Sequence, residues 1–351
     1  MVRQALLWVL VAGLAGAQEA PAPDAKGPVL YGDGAGRIWK WDGGEKTYLS
    51  PEGQNLVLGG VGEKQLWGWA VAGDRARFFT MALPKKKGAA PVKDEKPQPL
   101  QAPPVFDKGT FALPDRADRV GDRLLLVYGA LSGQPRYEVW KGAQRVASRA
   151  WDDGRAVYAS ALGPIGGWVI AGRDGVGAPW LEVSGTNVEV PEGWRGRLTV
   201  AAWAGDDQGP ALPQAAGWGA AGSAPAQALF WGPNGWTQPA PDPEAPAGTG
   251  IFPLLGAPGK GGVLTLAGWQ ADAGTGVLRP WFWDGSAEQT PGGGAEGQLQ
   301  AFGSGKGGVF LVVRHSISPW FTKEDGKGSV PLEGLGVDDR VVAVEAGVSA
   351  P

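Results

Sequence analysis

The chain of 351 residues has no cysteine, two methionines and a single histidine, His315. Without cysteine it can form no disulfide, thiolate nucleophile, Cys-ligated metal site or lipid anchor on a cysteine. His315 would be the one available imidazole base, and no Gly-x-Ser-x-Gly elbow, phosphate-binding loop or EF-hand loop accompanies it. The sequence therefore predicts no metal, no cofactor and no identifiable catalytic residue.

Large excess charge of either sign is also missing. The formal net charge is −3, and acidic and basic residues are mixed along the chain, which argues against a nucleic-acid-binding face. Beyond the N-terminus, no segment of membrane-spanning length is free of Gly, Pro and charge. We expect neither a nucleic-acid partner nor a transmembrane segment.

Residues 1–17 have the pattern of a cleavable signal peptide. Arg3 provides the positive charge, Ala5 to Ala15 is apolar, and Ala15-Gly16-Ala17 is a cleavage site of small residues before Gln18. A Pro/Ala-rich spacer, residues 18–28, follows. The sequence thus predicts an exported protein, periplasmic or extracellular.

Glycine and proline are abundant, with 60 and 30 copies, but so are large aromatic residues, with 18 Trp and 10 Phe. The aromatic content is too high for a typical disordered chain. Glycines separate short runs rich in Val, Leu and Trp, as turns separate strands, and no amphipathic helical pattern of useful length occurs. These features predict an all-β protein over residues 29–351.

Four short strands form a unit that recurs along the chain. In the unit after Gly297 the predicted strands are Gln298–Phe302, Gly308–Arg314, Pro319–Lys323 and Ser329–Leu332. The same order follows Arg155, Arg197 and Ile251. Such units are typical of propeller blades or sandwich halves, and repeated units bury their apolar faces against one another.

The turns after the third strands predict the number of units. They fall at seven positions: Asp42, Pro84, Gly142, Ser184, Gly232, Asp284 and Asp325. We therefore expect a single β-propeller of seven four-stranded blades, with six or eight still possible. The last run, Arg340–Val344, resembles a first strand, and Val29–Tyr31 resembles a second, so the two ends should pair and close the ring. Residues 84–104, rich in Lys and Pro, are predicted to be a flexible insertion.

Several motifs resemble the repeats of secreted bacterial β-propellers. The best matches are Trp41-Asp42-Gly43 followed by Thr47-Tyr48, and Trp283-Asp284-Gly285. Strands such as Trp168–Gly172 and Leu264–Gly268 are similar to those of kelch-type blades. The resemblance implies an architecture only, because propellers carry many unrelated functions.

Candidate binding residues follow from this architecture. Loops between second and third strands should lie on one face near the axis, and the loops that join successive blades should open on that face too. The first group carries Asp33, Asp74, Arg173, Asp174, Asp272 and His315, and the second carries Asp152, Asp153, Asp338 and Asp339. For each Asp, turn formation is the simpler interpretation. A structural role is the simpler interpretation for His315.

We interpret the chain as a monomeric binding or scaffolding module that recognises an envelope protein or a carbohydrate on this face. One alternative is a glycoside hydrolase or lyase with paired carboxylates at the axial mouth. Another is a purely structural envelope component. Paired Trp residues such as Trp67 and Trp69 are expected to pack between blades. Trp151 or Trp194 could instead stack on a sugar if exposed near the rim.

Overall fold

A computed structural model gives the fold over most of the predicted β region. It describes residues 29–32, 38–42, 45–48, 56–61, 65–72, 75–82, 111–112, 114–142, 144–205, 209–239, 248–258, 262–272, 274–275, 278–283, 288–289, 298–305, 308–314, 321–324, 329–331 and 340–344. The predicted signal peptide, the spacer and the insertion at 84–104 lie outside these residues.

The described residues form 28 strands in seven four-stranded sheets, numbered here in chain order. Sheet 1 contains β1 (Val29–Gly32), β2 (Ile38–Asp42) and β3 (Glu45–Tyr48), together with the last strand, β28 (Arg340–Val344). Sheet 2 contains β4 (Leu56–Val61), β5 (Gln65–Ala72), β6 (Arg75–Ala82) and β7 (Phe111–Ala112). Sheet 3 contains β8 (Arg116–Val120), β9 (Arg123–Tyr128), β10 (Arg136–Lys141) and β11 (Gln144–Ala150).

The remaining four sheets follow the same plan. Sheet 4 contains β12 (Ala156–Leu162), β13 (Trp168–Arg173), β14 (Pro179–Val183) and β15 (Thr186–Val188). Sheet 5 contains β16 (Trp194–Ala204), β17 (Leu212–Ala221), β18 (Gln227–Gly232) and β19 (Gly235–Thr237). Sheet 6 contains β20 (Gly250–Pro258), β21 (Leu264–Ala271), β22 (Leu278–Trp283) and β23 (Glu288–Gln289). Sheet 7 contains β24 (Gln298–Gly305), β25 (Gly308–Arg314), β26 (Phe321–Glu324) and β27 (Ser329–Pro331).

Each sheet is an antiparallel meander in which consecutive strands pair, so the predicted four-strand unit is confirmed. Strand β28 takes the first position of sheet 1 by pairing with β1, where Val29 lies opposite Val344 and Gly32 opposite Arg340. The first strands β28, β4, β8, β12, β16, β20 and β24 contact one another in this order, and β24 also contacts β28.

The core consists of layers between successive sheets. In β9, Leu124 and Leu126 pack toward sheet 2, while Leu125 and Val127 pack toward sheet 4. Both faces of this second strand are buried, which explains its continuous apolar run. Further layers fill the spaces between sheets 4 and 5 and between sheets 5 and 6. The sheets therefore stabilise one another face to face.

The paired tryptophans lie in these layers, as predicted. Trp67 and Trp69 are buried and both contact the ring of Phe78, at centroid distances of 6.0 and 5.3 Å. Trp281 and Trp283 are buried between sheets 5 and 6. Large aromatic rings fill the wedge between neighbouring sheets and contribute strongly to the hydrophobic stabilisation.

Backbone hydrogen bonds join three of the first strands, β12, β16 and β20, to the loop between the second and third strands of the preceding sheet. Val157 N donates to Ala130 O at 2.7 Å, and Ile251 N donates to Ala226 O at 2.9 Å. Gly196 N makes the equivalent bond to Gly177 O at 2.9 Å. These bonds hold the loops against the beginnings of the first strands, which is where the sequence placed the candidate site.

The first strands also share an irregularity. Pairing with the neighbouring strand skips one residue in six of the seven described first strands, for example between Val157 and Ala159 in β12 and between Leu198 and Val200 in β16. Strand β8 pairs without a skip. One skipped residue contacts the next sheet: the Thr199 hydroxyl donates to Pro253 O at 2.5 Å. No helix capable of crossing a membrane is found in the part of the chain described.

Candidate functional site

Three neighbouring loops form a continuous surface at one end of sheets 3 and 4. We call residues 129–135, 151–155 and 173–178 the rim. The first and last loops connect second and third strands, and the middle one joins the two sheets. Gly154 N donates to Gly133 O at 3.1 Å. A Cβ atom on Gly175 would collide with the carbonyl oxygen of Asp153. The three loops are thus in backbone contact, and this fixes the rim.

The rim brings together four of the predicted site residues, namely Asp152, Asp153, Arg173 and Asp174. Asp152 and Arg173 are exposed. Asp272 lies apart, in the loop of sheet 6 between β21 and β22. The other five predicted residues, Asp33, Asp74, His315, Asp338 and Asp339, lie outside the described residues and stay predictions.

Three of the four described candidate aspartates bond within their own loops. Arg155 Nε donates to Asp153 Oδ1 at 2.8 Å, and this hydrogen bond is the main reason why the pKa of Asp153 is lowered. Asp174 Oδ1 accepts from Val176 N at 3.0 Å and Ala178 N at 2.8 Å. Asp272 Oδ1 accepts from Gly274 N at 2.7 Å and from Thr275 N at 3.1 Å. Such bonds are typical of turn-forming aspartates, so these carboxylates order the loops.

Two exposed apolar side chains on the rim were not recognised from the sequence. Leu131 is 67% exposed and Val176 is 71% exposed, on the loops that flank residues 151–155. The sequence contained one clue for Val176: it lies between Gly175 and Gly177, in a turn too short to reach a core. Together with Asp152 and Arg173, these side chains give the rim apolar and charged groups accessible to a ligand.

The structure contradicts the prediction that Trp151 is exposed and stacks on a sugar. Its ring is buried below the rim, 5.0 Å from the ring of Trp180 in an edge-on arrangement and 5.5 Å from that of Tyr137. The Arg155 guanidinium lies over both tryptophans, at 5.2 Å from Trp151 and 4.5 Å from Trp180. Trp151 therefore supports the loop that carries Asp152 and Asp153. Trp194 is partly exposed, with its ring against Gly219.

Comparison with known proteins supports the architecture. No family model matches the chain, and no curated protein matches it. Among solved structures, the β-propeller domain of the trilobed protease from Pyrococcus furiosus superposes with a TM-score of 0.52 at 8% identity, covering 88% of this chain and 98% of that one. The fold is a β-propeller. The Pyrococcus domain is described as having an open velcro topology.

Two further structures are similar at lower scores. An uncharacterized protein from Listeria monocytogenes matches with a TM-score of 0.46 at 10% identity, covering 83% of this chain and 86% of that one. The six-bladed fucose-recognising lectin of Aleuria aurantia matches with a TM-score of 0.39 at 17% identity, covering 76% and 91%. At these identities the comparisons concern the fold and say nothing about a ligand.

The rim combines apolar and charged side chains at its surface. Among the described residues there is no group of three or more His, Asp or Glu side chains arranged to hold a metal ion. The rim offers two exposed apolar groups, two exposed carboxylates and an exposed guanidinium on loops fixed by backbone contacts. Preformed loops on a rigid scaffold are a common basis for binding sites.

Proposed function

We propose that the protein is an exported binding or scaffolding module, a closed seven-bladed propeller that recognises its target with the rim. The observation that carries this proposal is the contact between three loops from two sheets, which presents Leu131 and Val176 to solvent on a fixed backbone. Exposed apolar groups on rigid loops bind with little loss of conformational entropy.

Two features support closure with seven blades. Seven four-stranded sheets follow one another, and their first strands are in contact in chain order. Pairing of β1 with β28 joins the two ends of the β region within one sheet. The same pairing gives β1 a partner on the side that would otherwise be an open edge, which lowers the risk of aggregation in an exported protein.

Among the alternatives, the binding module agrees best with the described carboxylates. Asp153, Asp174 and Asp272 bond to their own loops and thus serve as turn residues. A glycoside hydrolase would need two carboxyl groups placed across a substrate, about 5–10 Å apart. No described contact favours such a pair.

The test compares a variant of the rim with a variant at the opposite end of sheet 4. Leu131→Glu with Val176→Glu alters the rim, and Ile165→Glu is the control because Ile165 is 78% exposed in the hairpin loop at the other end of that sheet. Each fluorescently labelled protein is applied to a glycan array and to immobilised envelope proteins. We expect a target bound by the wild type and by Ile165→Glu but lost in the rim variant. Equal binding by all three proteins would contradict the proposal.

Export is tested separately. Expression of the full chain with fractionation and intact mass measurement should give a mature protein that begins at Gln18 outside the cytoplasm. Uncleaved protein in the cytoplasm would contradict export, and it would leave the rim proposal to be decided by the binding test alone.

A further inference from the structure

A buried carboxylate lies between sheets 3 and 4, below the rim. Glu182, on β14, is 0% exposed. Its Oε2 accepts a hydrogen bond from Arg149 Nη1 at 2.7 Å, and Arg149 belongs to β11 of the neighbouring sheet. Burial of a charged carboxylate is costly unless a cation pairs with it. The interface between these sheets therefore depends on a cation at this position.

Aromatic rings surround the pair formed by Glu182 and Arg149. The Arg149 guanidinium lies 5.5 Å from the ring centroid of Trp151. Tyr137 contacts Trp151 at 5.5 Å and Trp168 at 5.9 Å. Burial, with the Glu182 carboxylate close to the hydroxyl, raises the pKa of Tyr137 to about 12. We call Glu182, Tyr137, Trp151 and Trp168 the Glu182 slot.

Arg149 uses only part of what the slot offers. Glu182 Oε1 and the indole nitrogens of Trp151 and Trp168 are buried without a hydrogen bond of regular geometry from the described residues. The Tyr137 hydroxyl lies beside both Glu182 and Trp168 and interacts with them. A guanidinium is planar and can donate two parallel hydrogen bonds to one carboxylate. Arg149 reaches Glu182 with one nitrogen, which it shares with Gly185 O at 3.4 Å. The guanidinium group of a separate molecule is not tethered to β11 and could donate to both carboxylate oxygens of Glu182.

The chemistry of the Glu182 slot favours a guanidinium over an ammonium cation. A carboxylate combined with an aromatic face suits a planar, weakly hydrated guanidinium that hydrogen-bonds in its plane and stacks on a ring. A lysine ammonium is more strongly hydrated and has no planar fork. The slot can also be reached, because β11 is the outermost strand of sheet 3 and the Arg149 side chain is 40% exposed.

We propose that the Glu182 slot is a guanidinium-binding site, which Arg149 fills in the free protein and which accepts the guanidinium group of another molecule, such as an arginine side chain, when Arg149 is withdrawn. The proposal does not depend on the binding function proposed for the rim, although Trp151 belongs to both. It assigns Glu182 as the anionic partner and Trp151 as the ring on which the guanidinium stacks.

The experiment is chemical rescue. Arg149→Ala removes the resident guanidinium, and its thermal and urea unfolding are measured with increasing methylguanidinium chloride, at millimolar concentrations and constant ionic strength. We expect saturable stabilisation: at ten times the dissociation constant the unfolding equilibrium constant falls about 11-fold. Sodium chloride and methylammonium chloride should not reproduce this. If Arg149→Ala does not fold, Arg149→Ser is used, and methylguanidinium is present during refolding.

Two control variants make the result specific. Arg145→Ala removes an exposed arginine of the same strand, which pairs with Glu138 at 3.4 Å, and its stability should not respond to methylguanidinium. Arg149→Ala with Glu182→Gln lacks the carboxylate and should lose the rescue. The proposal is overturned if methylguanidinium stabilises Arg149→Ala no more than sodium chloride does, or if either control responds as strongly.

Discussion

Asp118 Oδ2 accepts a hydrogen bond from Leu162 N at 2.7 Å, and this bond joins the first strand of sheet 3 to the last residue of the first strand of sheet 4. Asp118 Oδ1 accepts a second bond from Arg119 N at 2.7 Å. Burial raises the pKa of Asp118 from 3.8 to about 6, and the two backbone hydrogen bonds lower it only in part. The contact between the sheets therefore includes a carboxyl group that ionises less readily than one in water.

The raised pKa predicts a specific dependence of stability on pH. Because the native carboxyl binds its proton more tightly than the unfolded chain does, the free energy of unfolding should rise as pH falls from 7 through 6 toward 4. At about 1.4 kcal/mol per pKa unit, the effect is at most about 3 kcal/mol. Urea unfolding at several pH values should show this rise in the wild type and not in Asp118→Asn. Parallel pH profiles for the two proteins would show that Asp118 does not titrate in this range.

Asp118 also illustrates the limit of prediction from sequence. The four-strand unit and the ends of many strands could be predicted, because alternation of apolar runs with Gly and Asp turns is a local property. The irregular pairing of the first strands and the bond from Leu162 to Asp118 depend on how neighbouring sheets fit together. No local pattern of residues encodes that fit.

The candidate site, like the fold, could be predicted from the sequence only in part. Its place on the chain was predictable, because loops at the same end of successive sheets must lie near one another. The roles of its residues were not. Asp174 bonds to its own turn, Trp151 is buried, and the exposed apolar residues are Leu131 and Val176. The exposure of a side chain depends on how whole sheets pack, so a short segment of sequence does not determine it.

Backbone contact on the rim predicts a large effect for Gly175→Ala. The new Cβ would collide with the carbonyl oxygen of Asp153, which no side-chain rearrangement can relieve. We expect a loss of about 2–4 kcal/mol in the free energy of unfolding. Gly121→Ala is the control: it has a left-handed backbone but open space, so strain alone should cost about 1 kcal/mol. An equal loss in both variants would argue against close packing of the loops.

Arg155 should not be replaceable by lysine. Its guanidinium lies over the rings of Trp151 and Trp180 and bonds to Asp153, an arrangement that requires a planar cation. Arg155→Lys is expected to lose about 1–2 kcal/mol of stability and to change the tryptophan fluorescence. Arg145→Lys, at an exposed ion pair, should lose less than about 0.5 kcal/mol. Similar losses in the two variants would mean that stacking contributes little.

Gln214 joins sheets 5 and 6 through two side-chain hydrogen bonds, and replacing it should show how much they contribute to the free energy of unfolding. It is fully buried, its Oε1 accepts from Leu264 N at 3.0 Å, and its Nε2 donates to Gly262 O. Gln214→Ala leaves both backbone groups without this partner and should cost about 2–4 kcal/mol in chemical denaturation. Gln227→Ala, at an exposed position of the same sheet, should cost less than about 0.5 kcal/mol. A Gln214→Ala variant as stable as the control would show that other groups replace these bonds.

The pairing of β1 with β28 predicts what happens when the last strand is removed. Deletion of residues 340–351 takes away four residue pairs with β1, and at about 1 kcal/mol per net hydrogen bond the free energy of unfolding should fall by about 3–4 kcal/mol. It also leaves β1 as an unpaired edge, so the variant should self-associate in light scattering. Deletion of residues 345–351 retains β28 and should leave both properties unchanged. If the longer deletion were as stable and as monomeric as the shorter one, β28 would not hold the ring together, and the proposed closure would have to be given up, because β28 is the strand that joins the end of the chain to its beginning.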